Sequence, residues 1–538
     1  MKILFVCSEC MPYVKTGGLG DATAGLAKAL GELGHEVRVL MPLYSEIPRE
    51  KYKIKYLASS CIHMGDGEEQ WIGLYEGSLS LKVRIWFMEC DRFFARPGIY
   101  SYNNEDYPDN AYRYALLSKA ALQIAKDQIF IPEVMHVHDW PAALVPLFLK
   151  TWDRILSPLS STASVLTIHN IGYQGVYTAD VLKFLGVGLE YYHSGCLEAH
   201  GRINMLKAGI AMADAITTVS PTHADEICDP IGGMGMAPYI SSRKGDLFGI
   251  LNGVDYDHWD PETDEHIPFN YSVRDTSGKV GCKKELQRYF GLPEGKEIPV
   301  VGIVTRLVAQ KGISLMQEAL GSVVDEMDLQ LVMLGSGLHE TEAFFHRLKQ
   351  RFPDKVGIHI GFSGPLSHLI EAGSDFFLMP SIYEPCGLNQ IYSLKYGTVP
   401  IVRSTGGLED TVVDWKNNNG TGIKFNDISA DSMKEALCRA MQLWYDYPKE
   451  YLAIRKRGMK QDFCWKESAK KYEVVYTHAI ERRLNLLPEA VKEDVHEKGT
   501  MSKVKNNLSK SKGAAGRLQR VNGNFMLQAI RGTSKGKS

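Results

Sequence analysis

A few short stretches of this 538-residue chain bring together residue types that can do chemistry. Lys15-Thr16-Gly17-Gly18-Leu19-Gly20-Asp21 follows the first apolar run and precedes a helical pattern. That layout offers backbone N–H groups and a helix N-terminus to an anion, phosphate above all. It is neither G-x-G-x-x-G nor G-x-x-x-x-G-K-S/T, so the dinucleotide and Walker fingerprints are both absent. Arg306 and Lys311 sit five apart in TRLVAQKG, after another apolar run, where two long cations could hold a diphosphate. Glu384 precedes Pro385-Cys386-Gly387-Leu388, and Thr405-Gly406-Gly407 makes a second glycine turn before a helix. A carboxylate beside exposed N–H groups suits sugar hydroxyls and phosphate together.

Two histidine segments end apolar runs, His136-Val137-His138-Asp139-Trp140 and Thr167-Ile168-His169-Asn170. His and Asp at strand ends of open α/β sheets serve in catalysis or sugar binding. His136 and His138 alternate as metal ligands can, but no third ligand stands at motif spacing, and Cys7-x-x-Cys10 has no second pair. Asp255-Tyr256-Asp257 has the D-x-D form of a metal triplet, yet its setting in NGVDYDHWDP reads as a connector.

Stepping from these residues to what must position them, β-branched runs alternate with helical patterns from the first residue onward: KILFVC, EVRVLMPLY, VRIWFMEC, VMHVHDW, SVLTIHN, AITTVS and LFGILNGV. The alternation predicts a parallel sheet with crossover helices, the first of which, ATAGLAKALGELG, stops at Gly34. After a polar stretch over 260–278 a second series follows: IPVVGIVTRL, LQLVMLGSG, GIHIGF, DFFLMP, VPIVRS and TGIKF. The expected division is a first Rossmann-like domain over 1–254, a second over 255–461, a helix over 462–484 packing back across the lobes, and a basic tail over 485–538 expected to be disordered.

Composition is ordinary for a globular protein at 44% hydrophobic and 10% aromatic. The 61 basic and 63 acidic residues give a net charge of −2. Setting aside the nine lysines and arginines of 501–538 leaves 52 basic against 63 acidic, or −11, in residues 1–500. A body of that sign is not a nucleic-acid coat; only the tail has the charge for a polyanion. Ten cysteines are too few for a disulfide framework, and there is neither a secretory h-region nor a long apolar run. A cytoplasmic protein is expected.

Taken together, SECMPYVKTGGLGD, HDWPAAL, TIHNIGYQG, ITTVSPTHADEI, GILNGVDYDHWDP, TRLVAQKG, EPCGLNQIYSLKYGTVPIVRSTGGLEDTV and DFCWKESAKKY resemble the bacterial glycogen synthase and plastid starch synthase family over residues 1 to about 484. The resemblance implies a GT-B type fold, two Rossmann-like doubly wound parallel-sheet domains facing across a deep cleft. It also implies a retaining transfer of glucose from ADP-glucose to the non-reducing end of an α-1,4-glucan such as glycogen, starch or a maltooligosaccharide. By motif position Lys15, Gly17, Gly18, Asn252, Phe362, Cys386, Gly387, Leu388, Thr405, Gly406 and Gly407 would bind the donor. His169, Asp139, Arg306, Lys311 and Glu384 would serve catalysis, and Glu9, Asp21, Tyr100 and Asn110 the acceptor. No metal or other cofactor and no membrane partner is implied, and the compartment would be the cytoplasm, or the plastid stroma in a mature plant or algal form.

Three positions depart from the family pattern: Phe362 stands where tyrosine is common, and Ile382 and Ser404 where arginines are common. They leave ADP against UDP open. A silent glucan-binding scaffold would be expected to lose Lys15, Arg306, Lys311 or Glu384, and all four are present. A synthase using UDP-glucose or a small acceptor is the remaining enzymatic alternative.

Overall fold

Lys2–Val6 is a strand buried at every position but its first, and such a run can only be the centre of a sheet covered on both faces. The computed structural model describes residues 1–103, 105–153 and 157–487, with the backbone of two short strands at 518–521 and 524–527. The remainder of the basic tail lies outside the described residues. The chain divides into two units, one of Met1–Ile250 with Ser468 onward, the other Leu251–Glu467.

The first unit is built on a nine-stranded sheet. Its order is Leu247–Gly249, Ala215–Thr218, Ala163–Ile168, Val134–His138, Lys2–Val6, Glu36–Pro42, Val83–Glu89, Glu69–Ser78 and Lys55–His63. The first seven run parallel, as the alternating pattern predicts. The last two are antiparallel, so the sheet is mixed and not parallel throughout. The reason is local. Glu69–Ser78 buries only alternate residues over much of its length and is joined to Lys55–His63 by the short turn Gly65–Gly67, a connection too short for a crossover helix. Because those strands carry charged and aromatic residues on an open face, they lack the apolar runs by which buried strands are recognised.

Gly18–Glu32 packs Leu26, Ala27 and Leu30 inward and ends before Gly34, whose φ of 93° closes the helix as the sequence predicts. Trp465–Asn485 joins the first unit from Ser468. It buries Tyr472, Tyr476 and Ala479, and its polar side chains reach His35, through Glu473, and Asp246, through His478.

The second unit's sheet is parallel throughout, in the order Val356–Ile360, Gln330–Gly337, Val300–Leu307, Phe376–Met379, Val399–Arg403, Ile423–Phe425. Numbered along the unit this is 3-2-1-4-5-6, the doubly wound order whose direction reverses between Val300–Leu307 and Phe376–Met379. Helix residues such as Met316, Leu320, Met433 and Leu437 form one core with sheet residues Val301, Leu331 and Ile401; Leu286, Phe290, Leu366 and Ile370 cover the other face. The polar stretch 260–278 is pinned to this unit: Asp264 accepts from His368 and from the Tyr396 hydroxyl at 2.8 and 2.6 Å. In both units the strands leave their C-terminal ends, and the loops that follow them, at the point where strand order reverses, which is where open α/β sheets bind ligands.

Candidate functional site

In the first unit the order reverses between Lys2–Val6 and Val134–His138; the loop after the former carries Glu9, and Asp139 opens the short helix Asp139–Ala142 directly after the latter. Glu9 is buried, and its carboxylate is a hub. It accepts from the Thr16 N–H at 2.6 Å, the Thr16 hydroxyl at 2.9 Å, the Gly17 N–H at 3.3 Å and the Tyr100 hydroxyl at 2.6 Å. Ser8 closes on that same hydroxyl at 2.6 Å, and Asn110 donates to the Tyr100 carbonyl at 2.9 Å. Burial, and next the Glu9 charge, raise the Tyr100 phenol well above its ordinary value, so it stays a donor. The sequence reading offers the backbone of this turn, Gly17 and Gly18 included, to a phosphate; here the Thr16 and Gly17 N–H groups donate to a carboxylate of the protein itself. Lys15 is likewise engaged, with both Asp21 oxygens at 2.9 Å.

Asp139 is buried with φ of 54°, a conformation uncommon for a side chain larger than glycine and one that clusters at functional sites. Its Oδ1 accepts from the N–H of His169 at 2.6 Å and of Asn170 at 3.4 Å, which fixes the His169 backbone. Burial pushes this carboxyl up to about 7; the two N–H bonds oppose the rise and the Glu9 charge adds to it. His169 Nε2 lies 3.0 Å from His138 Nδ1, and burial lowers His169 to about 3, so its ring is neutral near pH 7. Both nitrogens of His136 are taken, by Tyr476 and Thr167 at 2.9 and 2.6 Å, which leaves no free lone pair for a metal. Cys7 and Cys10 are buried free thiols, and burial raises both well above the ordinary range, the reverse of a reactive dithiol.

In the second unit Lys311 donates to Glu384 Oε2 at 2.5 Å, and the Ser381 hydroxyl to the same oxygen at 2.9 Å. Gly312, with φ of 72°, turns the chain so closely that an added Cβ would stand 2.0 Å from the Pro380 carbonyl. Arg306 is exposed, and its guanidinium has no acceptor among the described residues. The two glycine turns are pressed together: the Gly407 N–H donates to the Glu384 carbonyl at 3.0 Å, and a Cβ at Gly407 would meet the Cys386 carbonyl at 1.9 Å. The Cys386 thiol accepts from the Asn252 backbone, and burial pushes it up to about 12. Lys311, Glu384, Asn252, Cys386, Gly406 and Gly407 are therefore linked around the strand ends, and Arg306, Gly387, Leu388 and Thr405 belong to the same strand-end segments. Phe362 does not join them. It follows Val356–Ile360, two strands from Val300–Leu307, and is 90% exposed.

Sequence reasoning passed over Ser381, Gln390 and Arg403. Arg403 is buried and donates to the carbonyls of Ser381, at 2.7 Å, and Ile382, bracing the loop that presents Glu384. Gln390 ties Cys386 and Gly387 to Thr411. The three-residue spacing of Ser381 and Glu384 was the only available signal; the others act through carbonyls, which no side-chain pattern records. Asp255-Tyr256-Asp257 is a connector: Asp255 caps the Asp257 N–H, and the Tyr256 oxygen accepts from the Phe463 N–H.

Two doubly wound units, with cations and glycine turns at the strand ends of one and a histidine–carboxylate set in the other, define a glycosyltransferase of the GT-B class. The starch synthase catalytic domain family matches residues 2–242, and the family of glycosyl transferases group 1 matches 285–461. Glycogen synthase 1 of Geobacter sulfurreducens is 43% identical over 490 residues, covering 90% of this chain and 98% of that protein. Glycogen synthase of Treponema denticola is 43% identical over 495 residues, 90% of this chain and all of that one. The catalytic domain of starch synthase IV from Arabidopsis thaliana, solved with ADP and acarbose, superposes with a TM-score of 0.81 at 31% identity, covering 89% of this chain and 99% of that one. A sucrose-phosphate synthase from Thermosynechococcus elongatus, at 16% identity and a TM-score of 0.54, shares the fold alone. The chain belongs to the glycogen and starch synthase family, enzymes that transfer glucosyl units in glycogen or starch synthesis.

Proposed function

We propose that this enzyme transfers glucose from ADP-glucose to the non-reducing end of an α-1,4-glucan with retention of configuration. The observation that carries the reading is the pairing of Lys311 with buried Glu384, with exposed Arg306 near the end of Val300–Leu307, at the reversal of strand order in the second unit. In this reading Arg306 and Lys311 neutralise the donor diphosphate as the glycosidic bond breaks, and Glu384 holds the glucose hydroxyls. Two side-chain cations supply the charge a leaving diphosphate needs without calling on a resident metal. Asn252, Cys386, Gly387, Leu388, Thr405, Gly406 and Gly407 line the donor site, and Phe362, which stands apart from them, is left out of it. ADP in the starch synthase IV structure supports adenine over uracil.

The first unit contributes Lys15, Gly17 and Gly18 toward donor phosphate, and Glu9, Asp21, Tyr100 and Asn110 toward the acceptor. Asp139 sets the backbone of His169, whose carbonyl and neutral ring serve the transfer step. The acceptor 4-hydroxyl attacks C1 on the face the diphosphate leaves, the C1–O bond to phosphate breaks, and the hydroxyl proton passes to a leaving phosphate oxygen. Among the described residues no helix is long and apolar enough to cross a membrane. The bacterial glycogen synthase relatives support a cytoplasmic site of action.

The test is turnover. Purified protein incubated with ADP-glucose and glycogen is expected to release ADP and lengthen glucan chains, and to favour ADP-glucose over UDP-glucose in competition. No turnover with either donor on any of several glucans would overturn the reading, and a preference for UDP-glucose would overturn the donor.

A further inference from the structure

The antiparallel edge of the first sheet carries a cluster unconnected with the transfer site. Lys55–His63 and Glu69–Ser78 pair so that His63 lies directly opposite Glu69, and Cys61 opposite Trp71. Directly opposed residues of an antiparallel pair share a face, and residues two apart on one strand share it as well. Cys61, His63, Glu69 and Trp71 therefore stand together on the outer face, while Ser60, Ile62, Gln70 and Ile72 point into the protein. One ligand atom from each of Cys61, His63 and Glu69 lies within 4.8 Å of the other two, and His63 Nδ1 is 3.4 Å from Glu69 Oε1.

We propose that Cys61, His63 and Glu69 bind a single Zn²⁺ ion through sulfur, nitrogen and oxygen, with water at the fourth position. The donor set is the mixed one that borderline-soft, tetrahedral Zn²⁺ takes, and three protein ligands with one open position is a common Zn²⁺ arrangement. Ligand atoms around such an ion are roughly 3.3–3.8 Å apart, given metal–ligand distances of about 2.0–2.3 Å. Contraction from 4.8 Å by about one ångström is within reach of exposed side chains, since His63 and Glu69 both lie more than half exposed. Their backbones, by contrast, are set. The turn between them is closed by the Met64 N–H on the Glu68 carbonyl at 2.8 Å and seated where a Cβ at Gly65 would meet the Lys183 carbonyl at 2.0 Å. Among the described residues no lysine or arginine pairs with Glu69, so no resident cation competes for it. Binding releases the thiol proton to solvent and braces the outermost strand of the sheet to its neighbour.

Four strand spacings, about 19 Å, separate this edge from Lys2–Val6, so the site is independent of glucosyl transfer. The full chain, freed of metal by chelation, is titrated with Zn²⁺ against a chromophoric chelator and with Co²⁺ by absorption. One equivalent is expected to bind in the micromolar range or tighter, and Co²⁺ to give a thiolate charge-transfer band. Cys61→Ser is expected to abolish that band, and Cys61→Ser and His63→Ala each to weaken Zn²⁺ binding tenfold or more, with circular dichroism and glucosyl transfer unchanged. Cys438→Ser, which removes an exposed thiol elsewhere, is expected to bind as the native chain does. Absence of Zn²⁺ binding below about 100 μM, or binding that survives Cys61→Ser or is lost in Cys438→Ser, overturns the proposal.

Discussion

The two units place a buried glutamate and a glycine turn at the same topological point, and neutralise that glutamate in opposite ways. Glu9 is held by dipoles, two backbone N–H groups and two hydroxyls; Glu384 is held by a full cation, Lys311, and one hydroxyl. The glycines differ as well. Gly407 is wedged against the Cys386 carbonyl, whereas a Cβ on Gly17 would meet nothing within 4 Å. A charge-neutralised carboxylate in a crowded turn is a fixed fitting, and its loss strands a half-enclosed cation. A dipole-held carboxylate beside an open turn can exchange its partners for a ligand one at a time, each hydrogen bond to the charged group being worth about 1.5–3 kcal/mol net, and no unpaired cation is left behind.

The largest expected effect is at the cation. Lys311→Ala removes positive charge where the proposed reaction has the diphosphate depart, and leaves Glu384 buried without its cation. A fall in kcat of roughly a hundred- to a thousand-fold is expected in steady-state assays with ADP-glucose and glycogen. Next is Gly407→Ala, which forces the Cys386 carbonyl aside. A loss of about 1–3 kcal/mol in urea unfolding is expected, with a large fall in activity; tolerance there would erase the contrast between the two turns.

Asp139 sharpens the comparison through pH. Its folded carboxyl titrates at about 7 against an ordinary 3.8. The native state therefore holds a proton the unfolded state has lost between those values, so this group's contribution to stability declines as pH rises from about 4 to 7. The difference in unfolding free energy between the native chain and Asp139→Asn should move in that sense. The acidic limb of kcat/KM near pH 7 should also vanish in the variant, because only the ionised group accepts strongly from His169 and Asn170. Because the Glu9 charge adds to the rise, Glu9→Gln is expected to move that limb to lower pH, with about a tenfold loss of activity. The smallest effect is expected for Gly17→Ala: unchanged stability, and at most a several-fold rise in KM for the donor if phosphate must approach that backbone closely.

Much of this was legible beforehand, and what was not has specific causes. All thirteen apolar runs named from the sequence correspond to strands, because a strand buried on both faces must be apolar nearly throughout. The pair Lys55–His63 and Glu69–Ser78 was missed because it is half exposed, and its Tyr56, Trp71 and Glu76 hide the alternation. Lys311 and Glu384 were named separately from their motifs, but seventy-three positions of chain conceal that they form an ion pair. Arg403 was invisible because it works on carbonyls, while arginines were sought at 382 and 404.

The sequence by itself determined the strand series, the glycine turns, the family and the candidate site residues, because each depends on local pattern or on blocks in fixed order. Tertiary structure alone decided which of those residues meet and in what state. It turned the Thr16 and Gly17 amides onto Glu9, raised Asp139 to about 7, kept His169 neutral and set Cys61 beside His63 and Glu69. Burial, register and the distance between charges arise only when the chain has folded, and protonation and ligand geometry follow from them.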